Sequence, residues 1–470
     1  MLTRASTVAF LETRMTRRPQ FLAASAFLIL AALVVPAQAQ WSSPVNITRL
    51  PPGRIVDLPS LVADSTGALH ASWSLRVAND FHWIDYSTKP VDSDTWLTPV
   101  HVSRDSWPYC HSSVQVGPGG VPYVIWMADV AGHFYLSKKD GDTWTMPVRF
   151  SAYNGVGWGL RACADRWHRI HAVWNDADLH TIWYARYDDS GWHGPEAAVT
   201  DPGEMAYPDV AVDRDGYAHV VYQPPGTPIG CGYVRQTAAG WGAPETIPAI
   251  AHDASDPRIA LDTGDCPQVA WYESRTTVYA GWTGAAWSPS VRLDSTQGYQ
   301  PSICADSWGQ VHVAFGDELP GLREAVCRRG AIMERMLVCA TPGWAELAAG
   351  PTRLHALAAF VNPDRDVWYT WRGLSPPGGT DELPGCAQTV THLAAAMPDG
   401  RLTVDLPERT WVRLQVRDVA GRQLRARVFD SLGPGRHVLD VTWPAATAGV
   451  YFCQVTTEVG TASVKISTTR

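Results

Sequence analysis

Short runs of alternating apolar and polar residues recur along most of the chain, and β-branched and aromatic residues dominate these runs. One unit starts at Tyr207, passes through an Asp-x-x-Gly turn at Asp213–Gly216 and closes its second apolar run at Tyr222. Alternation with a period of two between turn residues is the pattern of β-strands. The runs are not joined by any stretch with the apolar stripe of a helix, so the pattern predicts an all-β chain.

An aromatic residue closes the second apolar run of each unit, and its recurrence defines a repeat. The residues are Trp73, Trp126, Trp174, Tyr222, Trp271, Phe315 and Phe360. Successive members are 44 to 53 residues apart. Four short strands in a unit of this length are typical of a propeller blade, so seven units predict a seven-bladed β-propeller.

A Trp-x-x-Pro motif marks the fourth strand of most units. It begins at Trp41, Trp96, Trp144, Trp192 and Trp241, and a form one residue shorter begins at Trp287. The first copy precedes every other part of a blade, and the last unit has no copy after it. We therefore expect the N-terminal strand at 41–47 to complete the blade whose other strands lie at about 347–372, because closure removes exposed sheet edges.

The sixth unit is degenerate, because Arg328–Val338 contains neither Trp nor Pro. A six-bladed ring with an insert is therefore an alternative to seven blades.

The first 39 residues have the features of a secretory signal peptide. Arg17 and Arg18 precede an apolar run from Phe21 to Val35, and Ala37-Gln38-Ala39 is a small-x-small cleavage site. A retained membrane anchor is the alternative, and Met15 is an alternative start of translation. Cleavage predicts a secreted or cell-surface protein with no transmembrane segment.

The composition argues against several classes of partner and site. The 38 Lys and Arg against 46 Asp and Glu give a net charge of −8, which argues against nucleic acid or anionic membrane as a partner. The 9 cysteines form no Cys-x-x-Cys pair, so neither a zinc site nor a redox motif is predicted, and no cofactor is required. Cys163 and Cys304 share one position of two units, where a small buried side chain serves.

Five histidines also recur at one position of the repeat: His70, His171, His219, His312 and His355. Metal binding needs ligands that converge, whereas equivalent blade positions are dispersed around a ring. We therefore predict a structural role for them.

The repeat resembles a known family. The pattern Pro-x-apolar-x-apolar-Asp-x-x-Gly-x-x-His-apolar-x-Trp, followed by Tyr-Ser and Gly-x-Trp-x-x-Pro, resembles the sialidase-like and Asp-box propeller repeats of secreted bacterial proteins. The resemblance covers about residues 41–372, and Lys139–Trp144 is similar to an Asp-box turn. It implies a propeller fold, but propellers host unrelated functions, so it does not imply one activity.

The domain boundaries follow from these patterns. The propeller is predicted over 40–374, a Pro/Gly-rich linker over 375–384 and a small Ig-like β-sandwich over 385–470. Val416–Arg422 and Ala448–Phe452 resemble two modules, the sorting domain of the type IX secretion system and the Ig-like domain of flagellar hook-capping proteins. The C-terminal position favours sorting or surface attachment, which implies the outer-membrane secretion machinery as a partner. A plain accessory sandwich is the alternative.

The resemblance raises the question of sialidase activity. Such a glycoside hydrolase needs arginines that clamp a carboxylate, a tyrosine nucleophile and an acid/base aspartate. Arg161, Asp209 and Arg258 share one position of the first strand in three units. A third such arginine is not evident, and Arg54-Ile55-Val56 lacks the proline of the Arg-Ile-Pro motif of true sialidases. The other interpretation of these residues is the polar wall of a wet channel.

A ligand site is predicted where the units differ. The loops that lead into the first strands supply aromatics, and the loops after the second strands supply acids. The candidate ligand-binding residues are Trp107, Tyr109, Trp158, Tyr207, Tyr299, Asp176, Glu273 and Asp317. Aromatic faces stack on sugars and carboxylates accept sugar hydroxyls, so we predict a non-catalytic protein that binds a glycan or a surface protein. A purely structural surface repeat protein is the remaining alternative.

Overall fold

The structure is a computed structural model of the chain. It describes residues 40–50, 54–78, 81–91, 93–106, 112–128, 133–150, 157–176, 178–202, 206–225, 230–251, 253–294, 300–317, 321–341, 343–360, 366–374, 394–396, 402–406, 410–418, 423–432, 435–439, 449–457 and 460–468. The signal peptide and the linker that the sequence predicts lie outside these residues. Among the described residues, no helix is long and apolar enough to cross a bilayer.

The strands between residues 45 and 373 form seven antiparallel sheets, the blades of a β-propeller. The first strand, β1 (Val45–Asn46), belongs to the last blade. Blades 1 and 2 contain β2 (Ile55–Ala63), β3 (Leu69–Ala78), β4 (Phe81–Lys89) and β5 (Val100–Ser106), then β6 (Ser112–Gly117), β7 (Val121–Met127), β8 (Phe134–Asp140), β9 (Thr143–Trp144) and β10 (Val148–Arg149). Blades 3 and 4 contain β11 (Gly157–Ala164), β12 (Ile170–Asp176), β13 (Thr181–Asp188) and β14 (Gly191–Thr200), then β15 (Asp209–Val212), β16 (Ala218–Tyr222), β17 (Gly230–Thr237), β18 (Gly240–Trp241) and β19 (Glu245–Pro248).

The remaining three blades complete the ring. Blades 5 and 6 contain β20 (Ser255–Leu261), β21 (Pro267–Glu273), β22 (Thr276–Gly281) and β23 (Val291–Arg292), then β24 (Ser302–Ala305), β25 (Val311–Asp317), β26 (Gly321–Arg328) and β27 (Ala331–Cys339). Blade 7 contains β28 (Gly343–Ala349), β29 (Arg353–Phe360), β30 (Val367–Gly373) and β1. The first strand of each blade lies against the first strand of the next, and β28 lies against β2, so these strands surround a central channel.

The N-terminal strand closes the ring, as the sequence predicts. β1 pairs antiparallel with β30, with Val45 opposite Tyr369 and Asn46 opposite Trp368. The sixth unit forms a regular four-stranded blade, so the six-bladed alternative is wrong. β27 pairs with β26 along its length although it lacks both Trp and Pro, because a strand ladder needs only backbone hydrogen bonds.

The aromatic position of the repeat is buried in six blades. Trp73, Trp126, Trp174, Tyr222, Trp271 and Phe315 are all at most 7% exposed. The register of blade 7 differs from the predicted one by two residues. Leu357 lies opposite Glu346 just as Val173 lies opposite Arg161, so Ala358, rather than Phe360, takes the place of Trp174.

Neighbouring blades are joined by a repeated aromatic pair. The Trp of the Trp-x-x-Pro motif packs edge-on against a tyrosine from the third strand of the preceding blade. These pairs are Tyr86–Trp144, Tyr184–Trp241, Tyr233–Trp287 and Tyr369–Trp96, with ring centroids 4.9 to 5.4 Å apart. In blade 6 the equivalent position holds Glu324, which lies opposite Ala314 as Tyr184 lies opposite Val173.

The repeated histidines bond within their own blades. In blade 3, His171 Nδ1 lies 2.6 Å from the Tyr184 hydroxyl, and Nε2 lies 3.1 Å from Asp165 Oδ2. Blades 1 and 4 repeat this Tyr–His–Asp chain around His70 and His219, and His312 bridges Glu324 and Asp306 in blade 6. His355 contacts Tyr369. Each histidine therefore ties its strand to the third strand of the blade.

The aspartate of the turn also organises the backbone. Asp213 accepts hydrogen bonds from the amides of Asp215 and Tyr217, and Gly216 takes a left-handed φ of 87°. Glycine adopts this conformation at low cost, which explains the Asp-x-x-Gly signature. Cys163 and Cys304 are unpaired and pack against the interblade core, as predicted.

The described residues of the C-terminal region include seven further strands in two antiparallel sheets. The strands are β31 (Ala394–Ala396), β32 (Leu402–Leu406), β33 (Thr410–Asp418), β34 (Gln423–Leu432), β35 (Gly435–Leu439), β36 (Gly449–Thr457) and β37 (Gly460–Thr468). One sheet has the order β31-β32-β35 and the other the order β34-β33-β36-β37. Val412, Leu414 and Val416 are buried and alternate with exposed or half-buried polar residues, so one face of β33 packs inward.

Candidate functional site

Seven residues at equivalent positions of the first strands form the wall of the channel. In each of the first six blades, this residue lies opposite the one that precedes the aromatic residue of the repeat. In blade 7 it lies opposite the residue that precedes Ala358. This channel ring consists of Ser60, Ser113, Arg161, Asp209, Arg258, Ser302 and Glu346. Its charged members occupy blades 3, 4, 5 and 7.

Two arginines converge on one carboxylate in the channel. Arg161 Nη1 lies 3.4 Å and Arg258 Nη2 lies 3.7 Å from Glu346 Oε1. These residues come from blades 3, 5 and 7, so the contacts cross the channel. Ser302 donates its hydroxyl to Glu346 Oε2 at 3.1 Å. The two positive charges are therefore paired with a carboxylate of the protein itself.

Asp209 occupies a different environment. Its Oδ2 accepts the backbone amide of Ile259 from the next blade at 3.0 Å. In the same way, the Ser60 hydroxyl oxygen accepts the backbone amide of Val114, and the Ser302 hydroxyl oxygen accepts that of Leu347, each from the next blade. Burial raises the pKa of Asp209 to about 6, against the lowering effects of the Arg161 charge and the Ile259 amide. Burial also raises the pKa of Glu346, whereas the positive charge of Arg161 acts to lower it.

A second set of residues lies two positions before the channel ring. This mouth ring consists of Gly159, Tyr207, Asp256, Gln300 and Trp344. Gly159, Tyr207 and Asp256 have left-handed φ angles of 64°, 41° and 48°, and β11 and β20 have bulges beside Gly159 and Asp256. Left-handed backbone is costly for a side chain, and such strain concentrates at functional sites.

The mouth ring and the channel ring form one continuous surface. Gln300 Nε2 donates to Asp256 Oδ1 at 2.9 Å. Gln300 and Trp344 line a single cleft together with Arg161, Arg258 and Glu346, and Pro59 and Pro301 complete its wall. Tyr207 is half-buried, and burial raises its pKa. The cleft therefore offers aromatic surface, an amide and paired charges to a ligand.

The acids from the second loops have partners inside the protein. Asp176 is 2% exposed and accepts the amides of Asp178 and Leu179. Glu273 is 1% exposed and accepts the Trp271 indole N–H at 2.7 Å and the Ala251 amide. Asp176 thus stabilises the loop that follows it, and Glu273 ties the end of β21 to the loop that leads into β20.

The other predicted binding residues have no described side chain. Trp107, Tyr109 and Tyr299 lie outside the described residues. Trp158 and Asp317 lie in β11 and β25, where the structure describes only their backbone. Among the predicted aromatics, Tyr207 is thus the one that the structure places at the mouth.

The sequence pattern did not predict three residues of the cleft, Glu346, Trp344 and Gln300, or Asp256, which bonds Gln300. The seventh unit has Gly350 where five of the other six blades have the turn aspartate, and Ala358 replaces its aromatic residue, so its register was not evident. Counting four residues back from Gly350, as from Asp165 to Arg161, identifies Glu346.

Among the described residues, no group of three or more His, Cys, Asp or Glu is placed to hold a metal ion.

No family model matches this chain, and no curated protein matches it in sequence. Its structure is similar to that of a fungal alcohol oxidase of the AA5 family in complex with copper, with 13% identity and a TM-score of 0.50 over 92% of this chain and 100% of that one. It is also similar to PorZ, a surface component of the type IX secretion system of Porphyromonas gingivalis, with 13% identity and a TM-score of 0.42 over 87% and 59% of the two chains. NanB sialidase from Streptococcus pneumoniae matches with 11% identity and a TM-score of 0.41 over 71% of each chain. At these identities the likeness shows the propeller fold alone.

Proposed function

We propose that the chain is an exported, non-catalytic binding protein that takes a glycan or a surface protein at the channel mouth. The observation that carries this proposal is the pairing of both candidate arginines with Glu346. A carboxylate clamp needs guanidinium groups that are free to meet the substrate. Here a carboxylate of the chain itself already lies between them.

The mouth ring supports ligand contact. Tyr207 and Asp256 are held in left-handed conformations in neighbouring blades, and Trp344 is half-buried beside the paired charges. Aromatic faces stack on the C–H surface of sugars, while amides and carboxylates bond sugar hydroxyls or a lysine ammonium. A neutral glycan or a cationic peptide fits this chemistry.

One observation favours a glycoside hydrolase as the second candidate. The pKa of Asp209 is raised to about 6, which suits a general acid near neutral pH. The tyrosine argues the other way, because burial raises the pKa of Tyr207, and a nucleophile needs activation. The described channel ring also contains two arginines rather than three.

Glycan and peptide arrays with the mature chain, residues 40–470, test the binding proposal. We expect binding that falls about tenfold for Tyr207→Ala and for Trp344→Ala, a loss of about 1.4 kcal/mol. Trp167→Ala is the matched control, since Trp167 is 46% exposed on the turn between β11 and β12, at the opposite end of blade 3. Equal loss in the control would contradict a site at the mouth.

Hydrolysis of fluorogenic sialosides, measured in parallel, tests the second candidate. Turnover that is lost in Arg258→Ala and in Asp209→Asn would establish an enzyme in place of a binding protein. Silence in both assays would favour a structural surface repeat.

We further propose that residues 385–470 direct sorting or surface attachment through the outer-membrane secretion machinery. Support comes from the resemblance of Val416–Arg422 and Ala448–Phe452 to sorting modules. Fractionation of cells that produce the full chain or a chain ending at residue 374 tests this. We expect the full chain at the surface or in the medium and the shortened chain inside the cell; the same distribution of both would contradict the proposal.

A further inference from the structure

The outer strand of blade 6 differs from the outer strands of the other blades. Each of those has a proline within it or within two residues before it: Pro44, Pro99, Pro147, Pro195, Pro244 and Pro289. Proline removes a backbone donor from a sheet edge and so discourages pairing with another chain. β27 contains no proline, and none lies in the eight residues before it.

β27 is also long, although Met333 and Val338 interrupt the register of its ladder with β26. It has nine residues, it ends the order of its sheet, and among the described strands it pairs only with β26. Exposed and half-buried positions alternate along most of its length. Met333 is 61% and Leu337 46% exposed. An unpaired, apolar edge of this length is a template for strand addition.

The exposed side chains of β27 are arranged symmetrically about Arg335. Met333 and Leu337 lie two residues on either side of it, and all three residues are exposed. Arg335 donates to the carbonyls of Leu293 at 2.9 Å and Arg292 at 3.0 Å, which holds its guanidinium against blade 5. Glu334 balances its charge, so the strand is neutral within an acidic chain.

We propose that β27 pairs antiparallel with β27 of a second copy about a two-fold axis at Arg335. This register places Met333 opposite Leu337 of the second copy, and the symmetry repeats the contact. Because Arg335 is bound to blade 5, the two central arginines point away from each other's strand. The proposal is independent of any ligand at the channel mouth.

The size of this interface sets the expected affinity. Edge pairing of nine residues buries on the order of 1,000 Å² in total, which is at the low end for specific association. We therefore expect a reversible dimer whose population rises with protein concentration over the micromolar range.

Sedimentation velocity of the mature full chain over a concentration series tests the proposal. We expect Met333→Glu with Leu337→Glu to abolish the dimer, because the new carboxylates face each other across the axis. Met333→Lys with Leu337→Glu places opposite charges in the same contacts and restores the dimer. Met146→Glu is the control, because Met146 is 84% exposed on blade 2 and precedes Pro147.

Three outcomes overturn the proposal: a wild-type chain that is monomeric throughout the series, a dimer that survives the double Glu variant, and a dimer that the Lys/Glu variant does not restore. Thermal unfolding of each variant shows that the fold is retained, since both substituted side chains are exposed.

Discussion

Trp41 donates its indole N–H to Glu324 Oε2 at 2.9 Å across the closure of the ring. In blades 1, 3, 4 and 7 a tyrosine occupies the position of Glu324, and the Trp of the next blade packs edge-on against it. At the closure of the ring, the outer strand of blade 7 is β1, which is distant in sequence from the other strands of its blade. Here a charge-assisted hydrogen bond replaces the aromatic contact. Arg372 holds the same carboxylate through Nε at 2.7 Å and Nη2 at 2.5 Å.

Trp41→Phe tests the strength of this contact. The substitution keeps the aromatic ring but removes the donor to a buried carboxylate, so we expect the free energy of unfolding to fall by about 1.5–3 kcal/mol. Hydrogen exchange of the amides of residues 41–47 reports local opening of the closing strand. Trp96→Phe is the control, because Trp96 packs on Tyr369 and its indole N–H has no hydrogen-bond partner among the residues that the structure describes. Equal losses in the two variants would show that packing alone matters.

Arg372→Met removes the positive charge next to Glu324. Glu324 is 0% exposed and loses its arginine while it keeps the His312 and Trp41 hydrogen bonds, so we expect a loss of about 3–5 kcal/mol from breaking the buried ion pair. Adding Glu324→Gln removes that charge as well, and we expect the double variant to be more stable than Arg372→Met alone. Denaturant unfolding of the single and double variants measures the coupling. A double variant less stable than the single one would contradict this account.

The raised pKa of Asp209 predicts a pH dependence of stability. Its folded pKa of about 6 lies above the ordinary aspartate value of 3.8, so the folded chain binds the proton more tightly than the unfolded chain. Its contribution is therefore most favourable below about pH 4 and is lost as the pH rises through about 6. Asp209→Asn keeps an acceptor for the Ile259 amide without the charge. We expect this variant to be more stable than wild type above pH 6, by on the order of 2 kcal/mol, with little difference at pH 4.

Thermal unfolding at pH 4 and pH 8 measures this difference. Asp256→Asn is a useful comparison, since burial raises the pKa of Asp256 as well but its carboxylate bonds the exposed Gln300. A pH-independent effect of Asp209→Asn would show that Asp209 has the same pKa in the folded and the unfolded chain, which would contradict the raised pKa.

The Tyr–His–Asp hydrogen-bond chains within the blades predict which residues can replace the histidine. In blade 5, Gln268 replaces the histidine and bridges Tyr279 at 2.6 Å and Asp262 at 3.5 Å. We therefore expect His171→Gln to cost less than about 1 kcal/mol. His171→Leu leaves Tyr184 and Asp165 without this partner, and we expect a loss of about 1–3 kcal/mol. Melting temperatures of the two variants decide this, and equal losses would contradict a bridging role.

Much of the fold follows from local pattern. The Asp-x-x-Gly turns, the period of about 45–50 residues and the Trp-x-x-Pro motif before β1 predict seven blades and their closure, because each blade repeats the same short-range signals. Blade 6 is a regular blade despite its degenerate motif, since backbone pairing does not need the motif. In blade 7 the sequence pattern predicted the wrong residue for the aromatic position, because Phe360 is aromatic but Ala358 holds the equivalent position.

The strands, the turns, the order of the blades and three of the four charged residues of the channel ring thus follow from local sequence pattern. The contacts that these charged residues make depend on the tertiary structure. Arg161 and Glu346 are 185 residues apart in the chain, and no local signal predicts that they meet across the channel. Closing seven blades into a ring brings them together, and the same closure places Trp41 on Glu324, so the chemistry of the channel and the stability of the ring both depend on contacts between distant units.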